Sequence, residues 1–165
     1  MDACLLKICH PNRDSARAKA TKLLTILLLL ASAILACALL IVTWNQLSGM
    51  RFLQGISVAL YLLLAILVAQ WRCGALPLAA ALGTVMGIIA LVAAPGWFSL
   101  ERAGFSEPSI GSEAVGSLTL LFAALQLALI VVSLYGFRQR WNVEVEVPVE
   151  EPSDATGPYL TPAAV

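Results

Sequence analysis

The chain has 165 residues, 60% of them hydrophobic and only 12% charged, with a formal net charge of zero and a mean hydropathy of +0.89. An ordinary soluble domain carries ~45–50% apolar and ~25% charged residues. This composition argues against a disordered chain, a basic nucleic-acid-binding module or a water-soluble monomer, and it makes membrane lipids the first expected partner.

Residues 1–22 form a basic leader with Lys7, Arg13, Arg17, Lys19 and Lys22 set against Asp2 and Asp14. Beside an inner leaflet such cations attract anionic headgroups at ~1 kcal/mol each. Cys9-His10 lacks the paired ligand spacing of a zinc site, so neither a metal nor a cofactor is expected.

Four runs, 23–50, 52–71, 73–100 and 114–137, contain no Asp, Glu, Lys or Arg. Crossing a ~30 Å hydrocarbon layer takes about 20 mainly apolar helical residues. The runs therefore predict transmembrane helices at about 23–44, 52–71, 76–98 and 116–137. Barrel strands are excluded, because they need alternating segments of ~10 residues and at least eight of them. The expected fold class is all-α: a polytopic integral membrane protein built as an antiparallel four-helix bundle over 23–137. The first helix is expected to stay uncleaved. Its apolar core exceeds the ~7–15 residues of a signal peptide and continues to Val42, past the cleavage-like Ala31-Ser32-Ala33 and Ala36-Cys37.

Indole rings favour the membrane–water interface, and Trp44, Trp71, Trp97 and Trp141 fall at or just beyond the four predicted helix ends. Alternating helices put Trp44 and Trp97 on one side and Trp71 and Trp141 on the other. The five leader cations, Arg72, Arg138 and Arg140 share one side, against Arg51 and Arg102 on the opposite side. That asymmetry predicts cytoplasmic N- and C-termini in the plasma membrane, with outer connections at 45–55 and 101–113. Cys4, Cys9, Cys37 and Cys73 all avoid those outer connections, so reduced thiols are expected.

Helices in lipid associate through small residues and modest polar contacts. A shared inward face is read at Thr25, Ser32, Ala36 and Thr43 in the first helix, and at Gln54, Ser57, Tyr61 and Ala65 in the second. The third offers Ala79, Gly83 and Gly87, a close-packing ladder, and the fourth Thr119, Ala123, Gln126 and Ser133. Tyr61 and Gln126 lie near mid-span, where unpaired polar groups are unfavourable. They are expected to face the interior as a polar cluster with Thr84 as third member. Pro77 falls in a first helical turn, which tolerates proline, while Pro95-Gly96 is expected to kink or end the third helix at the outer interface.

Residues 138–165 form an acidic tail. Valine and glutamate alternate through 143–147 and continue as Pro148-Val149-Glu150, the period of a strand. With no partner strand evident in the chain, the tail is expected to be extended or disordered.

No intramembrane carboxylate of the kind small multidrug-resistance exporters need is present, no outer cysteine pair as in disulfide-generating quinone enzymes, and no large cysteine-bearing outer loop as in tetraspanins. The loops lack a nucleophile–base pair, so no enzyme is expected. The leading expectation is a non-catalytic membrane subunit or scaffold acting through helix packing and its tail, with a second copy or another membrane protein as partner. The alternative is a small transporter or permeability factor for a neutral or lipid-like substrate.

Overall fold

The computed structural model describes residues 6–9, 15–46, 49–99, 108, 110–139, 141 and 145–148. Its elements in chain order are β1 (Leu6–Cys9), α1 (Ala16–Val42), α2 (Arg51–Ala69), α3 (Ala75–Phe98), α4 (Ser112–Arg138) and β2 (Val145–Pro148). All four helices are long and apolar enough to cross a membrane.

Helices α1, α2 and α4 begin before their charge gaps do, because a charge gap marks where the chain turns apolar rather than where it turns helical. The side chain of Ser15 caps α1 by accepting from the Ala18 N–H at 3.2 Å, so Arg17, Lys19 and Lys22 are helical. A serine oxygen here satisfies one of the four orphan amide donors at a helix start. In α4 the first turn carries Glu113 and the last Arg138, each with the sign the helix dipole favours. Pro77 occupies the first turn of α3 as expected. Pro95 does not end that helix, which runs on to Phe98. A proline in the last turn removes one hydrogen bond, and here the Ser99 N–H closes the end on the Pro95 carbonyl at 3.1 Å.

The α2 terminus has a feature no sequence pattern announces. The Trp71 N–H bonds to the Val68 carbonyl and the Arg72 N–H to the Leu67 carbonyl, both at 3.0 Å, the paired bonds of a Schellman end. Glycine normally takes the left-handed position of that motif, but here it is Trp71, at φ 60°. A non-glycine residue there costs roughly 1–2 kcal/mol. The Trp71 ring recovers a similar amount: it meets Trp141 edge-on at 5.2 Å and lies 4.1 Å beneath the Lys22 ammonium. Trp141 is completely buried, so it is a wedge inside the protein rather than part of an interfacial aromatic belt. Its Nε1–H donates to Gln139 Oε1 and Gln139 Nε2 donates to Thr21 Oγ1, each at 2.9 Å. The start of α1 is thereby tied to the chain just beyond α4.

The most extensive helix contact is between α3 and α4. Helix α1 packs on both α2 and α4, while α2 and α3 barely meet. Small residues make this closeness possible. A Cβ added at Gly83 would lie 3.3 Å from Ile130 Cγ1 and 3.5 Å from the Gln126 carbonyl oxygen, and one at Gly87 would lie 3.3 Å from Gln126 Cβ. Thr25, Ser32, Ala36 and Thr43, Ser57, Tyr61 and Ala65, Ala79, Gly83 and Gly87, and Thr119, Ala123, Gln126 and Ser133 are all buried, and Gln54 is half-buried. Leu, Ile, Val and Phe crowd the outer faces, with Phe52 81% and Val92 76% exposed.

Beyond the helices, β1 and β2 pair antiparallel, with Leu6 opposite Pro148, Lys7 opposite Val147, Ile8 opposite Glu146 and Cys9 opposite Val145. The expectation that the tail strand has no partner in its own chain is therefore corrected for these four residues: the leader supplies it. The expectation of disorder in 149–165 falls outside the described residues.

Candidate functional site

Three helices converge at mid-length on Gln126. Tyr61 Oη, from α2, donates to Gln126 Oε1 at 2.7 Å, and Gln126 Nε2, on α4, donates to Ser32 Oγ of α1 at 3.1 Å. All three residues are fully buried. Each occurs near the middle of its helix, and with no surface open to solvent the partners must come from the protein. The chain Tyr61–Gln126–Ser32 uses the phenol proton, the amide oxygen and one amide proton. Phe122 lies edge-on to Tyr61, with ring centroids 6.3 Å apart, and covers one side of the cluster.

Tyr61 and Gln126 thus come together as their depth suggested, and Thr84 does not join them. Thr84 is exposed, and its hydroxyl donates to the Ala80 carbonyl of its own helix at 2.9 Å. This correction has a simple cause. Helical serine and threonine readily bond the carbonyl one turn back, as Thr25, Thr43 and Thr119 also do. The third member is Ser32, which the spacing of the first helix placed inward without naming its partner. Gly83 and Gly87 lie against Gln126 from the α3 side, so the packing ladder and the polar cluster share one residue. Ser133, seven residues beyond Gln126 on α4, is buried with no hydrogen-bond partner for its Oγ among the described residues.

Toward the Trp97 end of the bundle, all four helices line an apolar cleft with a volume of about 90 Å³. Leu39, Met86, Ala90 and Phe122 form its interior, and the exposed side chains of Met50 and Leu53 stand at its rim. Phe122 faces both this space and Tyr61, and so separates the cleft from the polar cluster. Beside the rim, Arg51 Nε donates to the Trp44 carbonyl at 2.6 Å and its guanidinium lies 4.7 Å over the Trp44 ring. Among the described residues, no three His, Cys, Asp or Glu side chains come together as metal ligands. Comparison with protein-family models, curated proteins and solved structures finds no match for the chain.

Proposed function

We propose that the chain is a small multi-pass protein of the plasma membrane, an antiparallel four-helix bundle with both termini cytoplasmic, acting as a non-catalytic subunit or scaffold. The observation that carries this reading is the closure of the mid-helix polar groups on one another. A transport pathway needs polar atoms that substrate or ion can reach, whereas Tyr61, Gln126 and Ser32 have no exposed surface and satisfy each other. The cluster does the work of an internal fastener, and of the residues a transport pathway would have used, Tyr61 and Gln126 are closed off while only Thr84 stays exposed.

Insertion is supported by the outer faces. A soluble monomer seldom exposes apolar patches beyond a few hundred Å², and side chains such as Phe52, Val92, Ile34 and Ile41 here stand open on helices of spanning length. Pairing of β1 with β2 brings the leader and the tail to the same end of the molecule, as an even number of crossings requires. The cation asymmetry favours the cytoplasm for that end. There the acidic tail is available to a partner, and the apolar helix faces are available to other spans.

Purification of the full chain in mild detergent, followed by native mass spectrometry, tests the reading. The expected result is a defined complex with another membrane protein, resistant to alkaline carbonate extraction. A lone oligomer carrying small neutral molecules would favour transport and overturn the subunit assignment.

A further inference from the structure

We propose that the apolar cleft holds one acyl chain of a bilayer glycerophospholipid whose phosphate rests on Arg51. The inference rests on the membrane-inserted reading above and adds a ligand to it. The cleft offers Leu39, Met86, Ala90 and Phe122 as its interior. Thr43, Thr119 and Gln54 also line it, but each donates to a backbone carbonyl, which leaves a surface that recognises hydrocarbon more than a polar solute. Its size narrows the occupant further. At about 90 Å³ it is smaller than the ~150 Å³ cavity that accepts benzene, so it takes a short stretch of chain, the part nearest the glycerol, and excludes a headgroup. A helix from another protein, ~10 Å across, cannot enter it.

The rest of such a lipid has somewhere to go. Because α2 and α3 barely meet, the cleft faces a seam along which a chain can leave toward the surrounding bilayer. The exposed Met50 and Leu53 stand where that seam begins. Arg51 lies between these two rim residues in sequence, and its Nε–H and ring contact with Trp44 fix the guanidinium at this end of the bundle. The remaining guanidinium amines form no hydrogen bond among the described residues and match the geometry of a phosphate. Phe122 closes the inner end, so the polar cluster takes no part. A resident lipid of this kind would fill the weak α2–α3 contact and act as packing rather than as cargo.

The test uses the full chain reconstituted in phosphatidylcholine vesicles doped with a phosphatidylcholine that bears a diazirine close to the carbonyl of one acyl chain. After irradiation, adducts are expected to concentrate on Met86, Ala90 and Trp97. The substitution Ala93→Phe, at an exposed position on the cleft wall, is expected to abolish those adducts at unchanged helical circular dichroism. Arg51→Gln leaves the cleft intact and is expected to lower them about fivefold, the weight of one interfacial cation. A diazirine alkanol without phosphate is expected to label the cleft as weakly as the Arg51→Gln variant is labelled by the lipid. Adducts confined to outward positions such as Val92 and Leu127, or cleft adducts indifferent to Ala93→Phe, would overturn the inference while leaving membrane insertion standing. Equal cleft labelling by the alkanol would overturn the phosphate contact. Absence of adducts at every position, with the protein released by carbonate, would instead overturn the membrane reading itself.

Discussion

Gln126 is the residue on which the most structure depends, since it binds a partner on each of two other helices and packs against both glycines of a third. Hydrogen bonds inside membranes average only ~0.6 kcal/mol, but stranding a buried polar group costs ~1–3 kcal/mol. In Gln126→Leu the Ser32 hydroxyl can turn to a carbonyl of its own helix, as Thr25 does, while the Tyr61 phenol has no such recourse. The expected loss is therefore about 1–2 kcal/mol, set chiefly by the stranded phenol. Tyr61→Phe, which removes the donor and leaves the buried Gln126 amide oxygen unpaired, should cost a similar amount, about 1–2 kcal/mol. The double substitution should be no worse than Gln126→Leu alone, because the two residues serve one bond. Reversible unfolding in mixed detergent micelles measures all three; additive losses would contradict the pairing. Sequence depth was enough to select Tyr61 and Gln126. It could not choose between Ser32 and Thr84, because either hydroxyl can serve its own backbone, and only the helix rotations decide which one does.

At the scale of elements, the apolar runs located all four helices, and the missing information concerned their ends. Ser15 and the Gly111-Ser112-Glu113 start extend α1 and α4 into charged sequence, where hydropathy carries no signal. The left-handed Trp71 was hidden for a different reason, since the contacts that support it come from Trp141 and Lys22 on other segments. The α3–α4 contact was more legible, because glycines at spacing four are what close backbones require. Gly83→Ala should change stability by less than about 1 kcal/mol: the methyl group enters a tight contact, but alanine gains ~0.8–1.0 kcal/mol of helix propensity over glycine. Gly83→Leu has no such margin. Its side chain would displace Ile130 and Gln126, costing ~1–3 kcal/mol as overpacking and disturbing the polar cluster as well. A thermal denaturation series over alanine, valine and leucine at position 83 should fall steeply after alanine, whereas an even decline would indicate a looser α3–α4 contact.

For the molecule as a whole, zero net charge conceals a basic leader of +3 and an acidic tail of −3, and the β1–β2 ladder pairs residues 6–9 of the one with 145–148 of the other. Two strands alone are marginal in water, so this pairing must draw on its surroundings. One source is the lock just inside it, where Gln139 and Trp141 fasten the end of α4 to Thr21 on α1 and shorten the loop the ladder must close. The other is attraction between oppositely charged segments, which salt screens beyond ~8–10 Å. The register offers a direct test, because Cys9 stands opposite Val145. Facing residues of an antiparallel pair have Cα atoms ~4.5–5.5 Å apart, within the ~4.4–6.8 Å a disulfide spans. In a Cys4→Ser, Cys37→Ser, Cys73→Ser background, Val145→Cys should therefore oxidise to an intramolecular disulfide with Cys9, read as a non-reducing gel shift. Glu146→Cys is one register position away, where successive residues take opposite faces, and should cross-link far more slowly. Raising the salt concentration should slow the Val145→Cys reaction if charge holds the segments together, and Gln139→Ala should slow it if the lock does. Equal cross-linking at both positions would mean that the leader and tail meet without the register, leaving their opposite charge as the whole of their attraction.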